Sequence, residues 1–243
     1  MKARKKAVIA ILLIVSVFCS SCSNIFGNKL KPKRIIKLYQ DAGYELVEID
    51  DILDGLEDFG NGNRLDDEIE DGAYALAEST KEIKRIFSDC DGMNIIPVLG
   101  LEYDKNMQEA CWFIRLENNY TSGVLLSGVA IQFDSEKNAI NYLDDMADSA
   151  EDSNGNSSND YDDYDDYSEA EWEYDSGEDG SMRYIIGQKS DEYYGYDQDG
   201  FMGIYVQGRY VFIIVCADLN SSSGSRELED ICELIGIESP TDM

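Results

Sequence analysis

Arg209-Tyr210-Val211-Phe212-Ile213-Ile214-Val215-Cys216-Ala217 carries no charge after its first residue, and branched or aromatic side chains fill most of it. Alternation puts Val211, Ile213 and Val215 on one side of a strand, with Tyr210, Phe212, Ile214 and Cys216 on the other. A strand apolar on both sides belongs in the middle of a sheet, covered on both faces or nearly so. Just before it, Gln207-Gly208 reads as a two-residue hairpin connection to a strand over Gly200 to Val206. Met182 to Gly187 reads as the strand before that. Just after it, Ser221 to Ser225 is a loop, and Arg226 to Ile235 has helical spacing and stops at Gly236.

The earlier half of the chain has a similar order of elements without repeating their residues. From Lys33, the residues Ile35, Leu38, Tyr39 and Ala42 share a helical face closed by Gly43, and Tyr44 to Ile49 alternates as a short strand. Asp58 to Asn63, rich in Gly and Asn, is a loop. Ile69, Ala73, Leu76, Thr80, Ile83 and Phe87 fall three and four apart, which predicts one helix over Asp66 to Ser88. Ile95 to Leu101 is apolar around Pro97 and is at best an edge strand. Ala110 to Glu117 and Val124 to Phe133 are strands on either side of a turn, and Asp134 or Ser135 caps a helix running to about Met146.

These elements predict an α+β fold: a single domain whose antiparallel sheet carries helices mainly on one face. The domain comprises residues 33–143 and 181–238, with a tail at 239–243. Between its halves lies an acidic low-complexity insertion, 144–180, with 16 acidic residues and no basic one. Self-repulsion and a shortage of aliphatic side chains predict that it is disordered, and that removing Asp148 to Glu178 leaves the folding transition nearly intact.

At the other end, Lys2, Arg4, Lys5 and Lys6 precede an apolar run from Ala7 to Phe18. Basic residues followed by grease mark an export signal, and 12 residues are too few for a comfortable membrane span. The run stops at Cys19-Ser20-Ser21-Cys22. This segment resembles the lipobox of bacterial membrane lipoproteins, although Cys19 stands where lipoboxes usually carry Leu or another aliphatic residue. The resemblance implies cleavage of the signal peptide, residues 1–21, and a diacylglyceryl group on Cys22. It makes residues 22–32 a lipidated tether and places the protein on the extracytoplasmic face of a cell membrane. Ordinary secretion after Ser20 or Ser21 and an uncleaved short anchor stay open as alternatives. Lys29, Lys31, Lys33, Arg34 and Lys37 form a basic neck past the anchor, suited to an anionic bilayer surface.

The formal net charge is −30, and loss of the signal takes it to −34. Such a surface repels nucleic acid and favours a basic protein or a cation-bridged envelope partner. The chain contains no histidine. That removes Ser-His-Asp and Cys-His nucleophile systems and histidine-ligated zinc, and leaves carboxylate pairs and Lys- or Tyr-assisted chemistry. No resident cofactor is expected; weak calcium binding by the acidic insertion is the one cation the composition leaves open. Asp197-Gln198-Asp199-Gly200 and Asp89-Cys90-Asp91-Gly92 look like the start of a calcium loop but lack ligands at the required positions, so both are read as turns. Of Cys90, Cys111, Cys216 and Cys232, the pairings to test first are Cys216 with Cys232 and Cys90 with Cys111, against buried free thiols. Tyr193, Tyr194 and Tyr196, with Tyr205 nearby, form an aromatic cluster suited to stacking a sugar or holding a basic peptide. The expected function is a lipid-anchored, non-catalytic ligand- or partner-binding module. The alternative is a carboxylate-dependent envelope hydrolase of glycosidase type.

Overall fold

A computed structural model describes residues 28–44, 47–48, 72–91, 102–119, 122–155, 172–193, 196–219 and 223–243. Cys22 and its signal, Tyr194, the loop at 58–63 and the segment 95–101 lie outside the described residues.

Among the described residues the helices are α1 (Pro32–Asp41), α2 (Thr80–Asp91), α3 (Glu136–Gly155) and α4 (Ser223–Ile235). The strands are β1 (Val47–Glu48), β2 (Ala73–Ala77), β3 (Met107–Asn119), β4 (Ser122–Phe133), β5 (Glu173–Asp179), β6 (Met182–Tyr193), β7 (Tyr196–Gln207) and β8 (Tyr210–Leu219). They form one sheet in the order β1-β2-β3-β4-β8-β7-β6-β5, parallel only between β1 and β2. The fold is therefore of α+β type. β8, the doubly apolar strand, lies between β4 and β7, well inside the sheet.

Helices cover both faces of that sheet, which corrects the expectation of helices mainly on one. On the first face, Ile83 and Phe87 of α2 and Ala139 and Leu143 of α3 pack with Trp112, Val129, Ile131, Val211 and Ile213. On the second, Ile35 and Tyr39 of α1 and Leu228, Ile231 and Ile235 of α4 pack with Phe113, Leu126, Phe212 and Ile214. The reason is the one β8 states: its two sides are equally apolar, and one layer of helices would leave half of that surface in water.

The helix predicted over Asp66 to Ser88 is also corrected. Ala73–Ala77 is a strand, with Ala73, Ala75 and Ala77 buried, and the helix begins at Thr80. Gly72, at φ 104°, turns the chain into β2. Ser79 Oγ accepts the Glu82 N–H at 3.3 Å, and the Glu82 carboxylate accepts the Glu78 N–H at 2.9 Å. This reciprocal cap starts α2 where the alternation ends. The turn between β7 and β8 is Gly208-Arg209, with Gln207 paired to Tyr210, one residue later than predicted. Gly208 adopts φ 59°, a backbone position glycine takes without steric cost.

Three boundaries move as well. The span 144–180 is structured at both ends, since α3 continues to Gly155 and Glu173–Asp179 is the edge strand β5. Between them, residues 156–171 lie outside the described residues. The end of the 22–32 tether is docked: Asn28 Nδ2 donates to Gln207 O at 2.7 Å, the Lys29 N–H to Gln207 Oε1 at 2.9 Å, and Leu30 is fully buried. The tail at 239–243 belongs to the fold, because Ser239 and Pro240 are buried and Ser239 caps a 3-10 turn over Pro240–Asp242.

α4 is fixed at both ends. Asp218 Oδ2 accepts the N–H groups of Gly224 and Ser225 at 2.9 and 3.3 Å, a carboxylate at the positive end of the helix. At the other end Gly236, at φ 81°, closes the helix and Lys29 Nζ donates to its carbonyl at 2.5 Å. Arg115 of β3 pairs with Glu227 of α4, tying the helix to the sheet.

Candidate functional site

The expected tyrosine cluster does not form around Tyr205. That side chain is fully buried, and its hydroxyl donates to Glu238 O at 2.6 Å. Its ring lies 6.2 Å from that of Phe212 between the sheet and the chain's end, and burial pushes its hydroxyl well above the ordinary tyrosine range. Tyr193 and Tyr196 are paired at the far end of the β6–β7 hairpin, nine residues from Tyr205, which is about 30 Å along an extended strand. The side chains of Tyr193 and Tyr196 are outside the described residues.

A different aromatic pair lies on the α3 face, with Tyr174 exposed and Trp172 half-buried. On β5 and just before it, Trp172, Tyr174, Ser176 and Glu178 alternate toward the face that carries α3. Tyr174 stands opposite Gly187 of β6. A Cβ at Gly187 would sit 2.7 Å from Tyr174 Cδ1, so the ring occupies the space the glycine leaves. Trp172 spreads further across the sheet, its Cη2 3.4 Å from where a Cβ at Gly200 would stand. The two rings are nearly parallel, at 16° with centroids 6.1 Å apart. Two glycines on neighbouring strands thus let two aromatic rings lie down on the sheet. Tyr174 remains 37% exposed, and what burial it has raises its hydroxyl pKa.

Beside this ledge the face is hollow. α3 lies against β4, β8 and β7, so β5 and the outer side of β6 stand beside the helix. The cleft between them has a volume of about 340 Å³ and is lined by Leu143 and Asp144 of α3, Ser176 and Glu178 of β5, and Arg183 and Ile185 of β6. Its floor is apolar and its rim charged, with Arg183 Nη2 3.6 Å from Asp144 Oδ1. Around it Glu173, Asp175, Glu178 and Asp179 are exposed on β5, which carries no basic residue. The arrangement offers flat apolar contact and negative charge, a combination that suits a ligand with both apolar and cationic groups.

Cys111, Cys216 and Cys232 are free and buried, so the Cys216–Cys232 and Cys90–Cys111 bridges are not formed. Burial pushes each of the three thiols up to about 12, which leaves them as inert apolar groups. Asp197 to Gly200 is not a turn but part of β7, paired with Glu192 to Lys189 of β6. Asp89 to Asp91 is the last turn of α2. Among the described residues, no group of three or more Cys, Asp or Glu is placed to hold a metal ion, and no helix is long and apolar enough to cross a membrane.

No protein-family model matches the chain, and no curated protein matches it. Among solved structures, the extracellular domain of PknH from Mycobacterium tuberculosis aligns with 13% identity over 54% of this chain and 63% of its own, less than two thirds of its length, at a TM-score of 0.32. A similarity at that level carries no argument about fold or function.

Proposed function

We propose that this chain is an extracytoplasmic, lipid-anchored protein that binds a ligand or partner without transforming it, and that the cleft between α3 and β5 is its site. The observation that carries the reading is the Trp172–Tyr174 ledge: two aromatic rings laid over Gly200 and Gly187 of neighbouring strands, Tyr174 exposed, on the face that also holds the cleft between α3 and β5. Large aromatic side chains left in water beside a cavity mark recognition surfaces. The anchor rests on Cys19-Ser20-Ser21-Cys22 and the short apolar run before it.

Both halves are tested on the protein expressed in a lipoprotein-processing bacterium. Mass spectrometry of the membrane fraction should find a mature chain starting at Cys22 with a diacylglyceryl mass, and Cys22→Ala should release the protein from membranes. Solubilised envelope components should be retained by the wild type and lost on Tyr174→Ala. Retention that survives Tyr174→Ala would show that the ledge is not the site. The carboxylate-dependent hydrolase is the second reading, favoured by Asp144 and Glu178 lining one cleft. Glycan fragments released from isolated envelopes by the wild type, and not by an Asp144→Asn, Glu178→Gln variant, would replace binding with catalysis.

A further inference from the structure

We infer that the ligand of this face is an extended, basic peptide segment of another protein, added to the sheet along the outer edge of β5, which no other described strand covers. The inference rests on the binding reading above and gives it a ligand class. β5 is the last strand of the sheet and pairs with β6 along its whole length. Alternate residues from Glu173 to Asp179 therefore turn N–H and C=O groups away from β6, and such groups accept a further strand. Seven residues give an edge of about 24 Å, enough for a seven-residue guest in register.

Charge selects the guest. Glu173 and Asp175 point to one face of β5 and Glu178 to the other, all three exposed. Lys or Arg directly opposite them on an added strand would be stabilised, whereas acidic residues there would be repelled. A second copy of this chain, itself at −30, is therefore a poor guest. The ledge meets the same segment on the α3 face, where a basic side chain crossing Tyr174 gains cation–π contact.

The test uses the full chain in neutral detergent and a fluorescent seven-residue peptide, Lys-Lys-Val-Val-Lys-Lys-Val, which places Lys on both faces of the added strand, followed by anisotropy. Two control peptides of the same charge are N-methylated at one or the other alternate set of residues, so that each has lost the hydrogen-bonding edge on one side. The unmodified peptide should bind, and one of the methylated peptides should bind at least tenfold more weakly. Glu173→Lys with Glu178→Lys should also weaken binding at least tenfold, with the thermal transition unchanged because both side chains are exposed. Gly187→Ala, which lifts the Tyr174 ring, should weaken it several-fold. Equal binding of all three peptides would overturn the inference, since charge alone would then suffice. Cellohexaose binding that Tyr174→Ala abolishes, with no peptide binding, would overturn the basic guest while keeping the cleft as a site. If neither probe slows hydrogen exchange in β5 and α3, both readings fall.

Discussion

Gly128 gives the sharpest test of how the core is assembled. It lies on β4 opposite Phe113 of β3, and a Cβ there would fall well inside van der Waals contact of Phe113 Cζ and Cε1. The ring has nowhere to retreat. It is 3% exposed, with the Tyr39 ring 4.5 Å away on the α1 side and the Phe212 ring 6.3 Å away on β8. Forcing an extra methyl into a packed core costs about 1–3 kcal/mol. Replacing a strand glycine by alanine returns roughly 0.5–1 kcal/mol of backbone entropy. Gly128→Ala should therefore destabilise the protein by about 1–2 kcal/mol, a fall in Tm of roughly 2–8 °C for a chain of this size. Thermal melts by circular dichroism read this directly. The cause is separable by a cycle with Phe113→Leu, in which the cost of Gly128→Ala should shrink by at least about 0.5 kcal/mol. A Gly128→Ala protein as stable as the wild type, or strictly additive effects, would refute the argument that this glycine exists to admit the ring.

Two further outcomes follow from burial and from the sheet edge. The buried thiols of Cys111, Cys216 and Cys232, raised from about 9 to about 12, stay protonated in the folded chain at pH values where the unfolded chain has lost those protons. Stability is thus complete below pH 9 and declines as pH rises toward 12, by at most about 1.4 kcal/mol per pH unit for each thiol. Melts at pH 8 and pH 11 should differ, and the difference should shrink in a Cys111→Ala, Cys216→Ala variant; equal Tm at both pH values would sink the assignment. Deleting Asp148 to Glu178 removes the end of α3 and nearly all of β5, and leaves β6 as an unprotected edge. Contrary to what composition suggests, the deletion should lower Tm and promote self-association measurable by light scattering, and an unchanged melt would return β5 to the status of a dispensable loop.

Reading β8 from its residues alone places it in the sheet interior, and the hairpin before it and the helix after it follow from the same stretch. The same reading also demands two covering layers, a consequence that the one-faced expectation did not follow through. Helical periodicity holds from Thr80 to Ser88 but misreads Ala73–Ala77 because alanine fits both spacings: Ala73 and Leu76 satisfy a helical stripe, yet Ala73, Ala75 and Ala77 alternate just as well. Ser79-x-x-Glu82 was the local signal that could have set the start of α2. The ledge was not legible for a different reason. Trp172 and Tyr174 sit among acids, which favour a reading of disorder, and the glycines that seat them are 13 and 28 residues away on other strands. Non-local register of that kind has no periodic signature. Tyr193 to Tyr196 drew attention because they are neighbours in sequence, whereas the pair that is seated on the face lies two residues apart on one side of β5.

The fastening of Asn28 and Lys29 to Gln207 sets a short leash. Six Cα steps separate Cys22 from Asn28, at most about 22 Å of chain even when fully drawn out. A lipid on Cys22 would therefore keep the Gly208 turn within about 22 Å of the anchor, while the Tyr193–Tyr196 tip lies about 37 Å further along β7. Met182 is paired with Gln207, so the β5–β6 corner with Glu178 and Arg183 shares that end of the sheet. With that anchor in place, a guest bound there would sit within a short reach of the membrane surface.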